Sequence, residues 1–299
     1  MITIMGATGH TGGRIAEQLL DAGEKVRALG RSKERLGALA KRGAEVVAGD
    51  AADAAALTGA FRGADAVYTL IPPNLVSPDY RAEQDRVGEA IVRALRDSGV
   101  KRVVFLSSLG AELPSGTGPI AGLGAQEKRL RSLAGVDVLV LRPGYFMENH
   151  LHTAGLIKQQ GINGDSIRPD APFPMIATRD IADVAARALA QRDWKGFTVR
   201  ELLGPRDLTM AEATRILGKR IGKPDLPYVQ FGETDFVAAL VGMGIARNVA
   251  DSYAEMGRAL SDGTIKSVAG RSAASSTPTR LEDFADVFAE HYESVGAAA

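Results

Sequence analysis

Between Met1 and Leu141 the chain passes six times through a short, nearly unbroken apolar run. Stretches of helical spacing and short connections separate the runs. The runs are Met1–Met5 (MITIM), Lys25–Leu29 (KVRAL), Ala44–Ala48 (AEVVA), Ala66–Ile71 (AVYTLI), Arg102–Leu106 (RVVFL) and Val136–Leu141 (VDVLVL). Helices are expected at Gly12–Leu20, where Ile15, Leu19 and Leu20 share a face and Gly23 ends the element, then at Lys33–Lys41, Leu57–Phe61, Asp79–Ser98 and Ala125–Leu133. Alternation of this kind predicts an α/β protein, a doubly wound parallel sheet with helices on both faces. Continuous apolar strands suit a sheet covered on both sides.

Beyond Leu141 the pattern loosens. Pro143–Phe173 is rich in Gly, Asn and His, and Asp180–Ala190 is one more clear helix. Helices at Met210–Arg220, Thr234–Val241, Ala250–Leu260 and Arg280–Ser294 give a mixed C-terminal part, with Ser272–Thr279 (SAASSTPT) expected as a flexible loop.

With 299 residues, 45% of them hydrophobic, the chain can bury a large core. Thirty-six basic residues balance 36 acidic ones, so nothing marks a nucleic-acid or acidic-membrane partner. There is no cysteine, which removes disulfides, thiolate nucleophiles and Cys-ligated metals. No apolar run reaches membrane length, and the first residues lead straight into a strand, so a cytoplasmic protein is expected.

The first strand ends in GATGHTGG, with Gly6, Gly9 and Gly12 three residues apart. In a strand-turn-helix each glycine has a reason. Gly6 allows the turn, Gly9 lets the backbone approach a pyrophosphate, and Gly12 lets helix and strand pack closely. The helix N-terminus then offers free amides to phosphate. The second strand ends in ALGRSKERL. NAD sites usually place an acid there, whereas Arg31, Ser32 and Lys33 suit a 2′-phosphate, so NADP(H) is expected in preference to NAD(H). Asp50 follows the third strand, at the place of an adenine edge or of a helix cap.

GATGHTGG, GRSK, AVYTLIPP, RVVFLSSLGA, LRPGYFMEN and FPMIATRDIADVAARAL together resemble the NmrA-like group of atypical short-chain dehydrogenase/reductases. The resemblance implies a Rossmann domain at residues 1–150, with 174–192 returning to it, and a small mixed α/β lobe at 151–299 facing it across a cleft. It implies that Gly6, Thr8, Gly9, His10, Thr11 and Gly12 line the pyrophosphate and Arg31 meets the 2′-phosphate. Leu70, Ile71 and Pro72 would follow the ribose and diphosphate. Ser107 and Ser108 would lie near the nicotinamide, and Pro143, Gly144, Tyr145 and Phe146 would cover it and open the substrate cleft. The family includes NAD(P)H:quinone reductases, related reductases of small molecules, and redox sensors without catalysis.

Conventional members of the superfamily use Tyr-x-x-x-Lys, in which lysine lowers the phenol pKa for acid–base work. None of the six tyrosines has a lysine four residues on. If Glu127 holds the family's helix glutamate, Leu123 takes the lysine place and Pro119 the tyrosine place. This counts against an alcohol dehydrogenase and against a sugar-nucleotide epimerase. A quinone reductase needs positioning more than a tuned acid. The candidate proton donors are Tyr145, His150 and His152, with Ser108 as a substrate contact. His150 and His152 are expected on different sides of a helix, so no metal site is expected. Phe173 and Met175 are expected in the core or as an apolar cleft wall. Two readings stay open: an NADPH-dependent reductase of quinones or similar acceptors, and an NADP(H) sensor acting through a protein partner. The Asp79–Ser98 helix suits a homodimer contact or a solvated face equally.

Overall fold

The computed structural model describes residues 1–296. Strands β1 (Ile2–Met5), β2 (Val26–Gly30), β3 (Glu45–Ala48), β4 (Ala66–Thr69), β5 (Arg102–Leu106) and β6 (Asp137–Pro143) alternate with helices. These are α1 (His10–Asp21), α2 (Gly37–Lys41), α3 (Ala54–Phe61), α4 (Tyr80–Ser98) and α5 (Ile120–Arg131). There follow β7 (Tyr145–Phe146), a 3-10 run at Met147–Thr153, α6 (Ala154–Gln160), β8 (Asn163–Asp165), β9 (Phe173–Ile176), α7 (Thr178–Gln191) and β10 (Phe197–Leu202). The chain closes with β11 (Asp207–Leu208), α8 (Met210–Arg220), β12 (Tyr228–Gln230), α9 (Glu233–Gly242), α10 (Arg247–Ser261) and α11 (Leu281–Ser294).

Seven strands form one parallel sheet in the order β10-β6-β5-β4-β1-β2-β3. Successive side chains point to opposite faces. Ile2, Ile4 and Val104 therefore join α1 and α7 in one core, through Ile15, Leu19, Ile181 and Leu189. Met5, Val103 and Phe105 join α3, α4 and α5 in the other, through Phe61, Ile91 and Leu130. A further core, with Met147, Phe173, Met175, Leu217, Leu281 and Phe288, belongs to the C-terminal part. This is the Rossmann-type doubly wound sheet with added mixed elements. Among the described residues no helix is long and apolar enough to cross a membrane.

The differences from the sequence reading have local causes. The expected helix at Lys33–Lys41 is a 3-10 turn at Glu34–Leu36 followed by α2. There Ser32 Oγ accepts from the Arg35 amide (3.4 Å) and Gly37 weakens the helix. Helix α5 begins at Ile120, five residues before its expected start, despite Gly122 and Gly124. Packing outweighs propensity, since a Cβ at Gly122 would lie 2.1 Å from Gln84 Oε1 and one at Gly124 2.3 Å from the Ala111 carbonyl oxygen. The seventh strand, β10, escaped notice because it is an edge strand whose Arg200 and Glu201 break the apolar run. The short strands β8, β9, β11 and β12 escaped because they hold only two to four residues each. The Ser272–Thr279 loop has neither helix nor strand, but it is pinned rather than free. Asp180 accepts from the Thr279 amide (2.9 Å) and hydroxyl (2.6 Å), and the Leu203 amide donates to the Ser275 carbonyl (2.8 Å).

Candidate functional site

The strand order reverses between β1 and β4, and the crevice beyond the strand ends at such a switch point is where these sheets bind ligands. Gly6 has φ +64°, and a Cβ there would meet Leu70 Cδ2 at 2.9 Å, so the turn after β1 lies directly against the chain leaving β4. A Cβ on Gly12 would lie 2.4 Å from the Gly6 carbonyl oxygen, which forces glycine where α1 crosses the turn. Gly9 is different. It is exposed, and the nearest protein atom to its Cβ would be the Gly6 oxygen at 3.4 Å. The protein itself does not demand glycine at that point, but a group seated on the helix N-terminus does. No side chain caps α1 and no acid occupies its first turn, so its dipole and amides are free for an anion. These residues fit a dinucleotide pyrophosphate.

His10 is exposed and Thr8 half-buried beside this turn. Thr11 is turned inward: it is buried, and its hydroxyl accepts from Tyr68 Oη (3.1 Å), which leaves only its backbone to a phosphate. Arg31 and Lys33 are exposed and, among the described residues, their side chains make no ion pair or hydrogen bond, whereas Ser32 starts the 3-10 turn. Asp50 accepts from the Ala52 amide (2.8 Å), and the cap of α3 is Asp53, bonded to the amides of Ala55 and Ala56. Leu70 and Ile71 are half-buried and Pro72 exposed along the crevice.

At the ends of β5 and β6 the chain builds a rigid floor. Ser107 is buried, and its hydroxyl donates to Glu127 Oε1 (2.5 Å) instead of turning toward the crevice. Glu127 also receives Arg142 in a two-pronged pair (2.9 and 2.6 Å), and Arg142 reaches Glu112 as well (2.8 Å). Ser108 is half-buried, its hydroxyl on the Leu109 carbonyl (3.0 Å). In place of the missing catalytic pair, Pro119 stands at the start of α5 with its carbonyl accepting from Gln84 (2.8 Å), and Leu123 packs on the α3–α5 core.

Pro143 ends β6. Gly144 lets β7 close on β9, since a Cβ would lie 2.5 Å from the Pro174 carbonyl oxygen. Tyr145 and Phe146 then pair with Met175 and Ile176. Glu148 locks this segment to α7 by accepting from the Thr178 amide (3.0 Å) and hydroxyl (2.5 Å), which gives LRPGYFMEN and ATRDIADVA a shared structural purpose. Phe173 and Met175 are core residues, although Phe173 also packs edge-on against Tyr145 at 5.5 Å.

Tyr145 is half-buried, with its ring edge-on to His150 at 5.7 Å. Burial raises its phenol well above the usual tyrosine range, and the nearby Asp165 charge and the Tyr228 and Tyr253 phenols push the same way, against a hydrogen bond with Asn149. Its proton is therefore held at neutral pH. His150 is 1% exposed and, among the described residues, neither ring nitrogen has a hydrogen-bond partner, while His152 is exposed. Desolvation lowers the His150 pKa from 6.5 to about 4, so it is neutral at pH 7 and carries no imidazolium proton to donate.

That depression has a consequence for stability. Above pH 6.5 folded and unfolded forms are both uncharged, so the imidazole adds no pH dependence there. Below that the unfolded chain takes up a proton that the folded chain resists until about pH 4. His150 should remove about 3 kcal/mol of stability across that window. Urea unfolding of His150→Leu and wild type at several pH values checks this, the variant being expected to lose one proton's worth of acid sensitivity. Equal slopes would contradict it.

The sequence reading did not single out Asp165, a lone acid in a Gly- and Asn-rich stretch with no spacing signal. Its Oδ1 accepts from Ser166 Oγ (3.2 Å) and from the Ile167 amide (3.3 Å).

Fold and crevice together define a nucleotide-binding Rossmann protein of the NAD(P) type. The profile of the NmrA-like family matches residues 1–285, and the chain belongs to that family. It is 34% identical over 224 residues to (4-alkanoyl-5-oxo-2,5-dihydrofuran-3-yl)methyl phosphate reductase of Streptomyces griseus, covering 75% of each chain. It is 30% identical to quinone oxidoreductase 2 of Escherichia coli, over 85% of this chain and 86% of that one. The crystal structure of the Escherichia coli NADPH-dependent quinone oxidoreductase QOR2 with NADPH superposes with a TM-score of 0.80 at 26% identity, covering 96% of this chain and 99% of the other.

Proposed function

We propose that the chain is an NADPH-dependent reductase of quinones or similarly activated small acceptors. The observation that carries the reading is the open glycine cradle at the switch point of the sheet, which suits a dinucleotide, and Tyr145, edge-on to His150 and Phe173 just beyond β6, supports an acceptor site there. The relatives named as reductases, one of quinones, support it.

In this reading Gly6, Gly9, Gly12 and the first-turn amides of α1 hold the pyrophosphate, with Thr8 and His10 at its side and Thr11 contributing its backbone. Arg31, Ser32 and Lys33 take the 2′-phosphate and Asp50 borders the adenine. Leu70, Ile71 and Pro72 flank the diphosphate, and Pro143, Gly144, Tyr145 and Phe146 border the nicotinamide. The dinucleotide, when bound, supplies a hydride. Tyr145 offers a protonated phenol as a hydrogen-bond donor to the acceptor, and Phe173 fixes its ring. Ser107, tied to Glu127, holds the floor rather than touching the acceptor. The partner is a small molecule met in the cytoplasm.

Anaerobic mixing of the protein with NADPH and a panel of quinones tests the reading. Loss of reduced-nicotinamide absorbance is expected. Tight NADPH binding with no turnover on any acceptor would turn the assignment to a cofactor sensor. Arg31 sets the cofactor preference through a charged hydrogen bond, so Arg31→Asp should lower the NADPH:NADH affinity ratio by about tenfold to a hundredfold. Titration of both cofactors into both proteins measures it, and an unchanged ratio would remove Arg31 from the site.

A further inference from the structure

We propose that the cavity bordered by the 262–271 loop is a binding site in its own right, one that takes a small apolar monoanion such as an aliphatic carboxylate. The proposal goes beyond the reductase reading and does not depend on it.

The cavity has a volume of about 490 Å³, a size that suits small ligands. Its lining comes from the chain entering β9, the chain leaving β10, the end of α10 and the loop that follows that helix. Phe173, Leu203, Leu260 and Ile265 bring apolar side chains to it, with Pro172 and Pro174 beside them. Two of these also touch the neighbouring elements. Phe173 packs edge-on against Tyr145 at 5.5 Å, and a Cβ at Gly110 would lie 3.1 Å from Ile265 Cγ1. The cavity therefore shares walls with β7 and with the loop after β5, yet none of the residues assigned above to the dinucleotide lines it.

The loop is a built wall. Glu201, buried near the end of β10, accepts from the Ser267 hydroxyl, the Val268 amide (2.9 Å) and the Ala269 amide (3.3 Å). At the far end of the loop Arg271 donates to the carbonyls of Leu203 (3.3 Å) and Gly204. Across the cavity the Arg168 amide donates to Ser261 Oγ of α10 (2.9 Å).

The charges at the rim decide what fits. Arg168 is taken up by Asp170 in a two-pronged pair (3.0 and 2.8 Å), and Arg271 by Asp207. Asp262 accepts from the Thr264 amide (2.9 Å). Lys266 is exposed and, among the described residues, its side chain makes no ion pair or hydrogen bond. One uncommitted cation thus stands at the edge of an apolar cavity. A ligand with a single negative group and an apolar body satisfies both features. A dianion or polyphosphate would leave charge facing Asp170, Asp207 and Asp262.

Octanoate is the probe, titrated into the full chain labelled with 13C at the leucine and isoleucine methyls. The Leu203, Leu260 and Ile265 signals should shift saturably, and to the same extent with NADPH present. Hexanoate should bind about tenfold more weakly, because two methylenes leave the apolar lining. Lys266→Gln should weaken octanoate by about fivefold to tenfold, a rim charge being partly screened by water. Lys266→Glu should take octylamine in preference to octanoate. Both substitutions fall on an exposed side chain, so folding is not at issue. Absence of saturable shifts at these three residues, displacement of octanoate by NADPH, or undiminished octanoate binding by Lys266→Glu would overturn the proposal. No step of the test needs turnover, so failure of the reductase reading leaves it standing.

Discussion

Replacing Gly12 by alanine is expected to cost the protein both stability and its dinucleotide, whereas replacing Gly9 by alanine should cost the dinucleotide alone. At Gly12 the added methyl would meet the Gly6 carbonyl oxygen at 2.4 Å, the Gly6 carbonyl carbon at 2.7 Å and the Met5 carbonyl oxygen at 2.9 Å. All three are backbone atoms of the strand–turn junction, so the contact can be relieved only by moving α1 off β1. Overpacking of this kind costs about 1–3 kcal/mol, and the shift also carries the α1 amides away from the phosphate position. At Gly9 the methyl finds no protein atom closer than 3.4 Å and fills the space above the helix N-terminus instead. Gly9→Ala should unfold within about 0.5 kcal/mol of wild type. It should bind NADPH at least about tenfold more weakly, since close backbone approach at this glycine is what the turn provides. Urea unfolding and NADPH titration of the two variants test the pair. Undiminished binding by Gly9→Ala would move the pyrophosphate elsewhere.

Removing Arg142 is expected to be the most damaging single change away from the glycine turn. Arg142 and Glu127 expose only 11% and 6% of their side chains and make the two-pronged pair described above. Arg142→Met leaves the Glu127 carboxylate buried with Ser107 as its only described hydrogen-bond donor, a situation that costs about 3–5 kcal/mol. The double variant Arg142→Met/Glu127→Leu should regain most of that loss, because the cost lies in the orphaned charge and not in the absent attraction. Urea midpoints of the single and double variants measure both terms. A single variant within about 1 kcal/mol of wild type would contradict this account of the floor beneath Ser107.

The same network shows what could be read from the sequence and what could not. The six apolar runs announced the sheet because strands covered on both faces carry no polar alternation to blur them. GATGHTGG announced the crevice because backbone approach leaves glycine as its trace. The serine after β5 was visible, but its direction was not. Whether Ser107 faces the crevice or the interior depends on Glu127 and Arg142, which arrive from α5 and β6. The direction of the Thr11 side chain was hidden in the same way, its hydroxyl being claimed by Tyr68 from β4. β10 was hidden because an edge strand needs no apolar outer side.

In the proposed function, hydride passes from NADPH held at the glycine turn to a small activated acceptor. Single-turnover oxidation of NADPH by a quinone, run with ordinary cofactor and with cofactor deuterated at the transferring carbon, tests it most directly. Slower oxidation with deuterated NADPH, with deuterium leaving the nicotinamide, is the expected result. NADPH that stays bound and reduced in the presence of every quinone tried would contradict it.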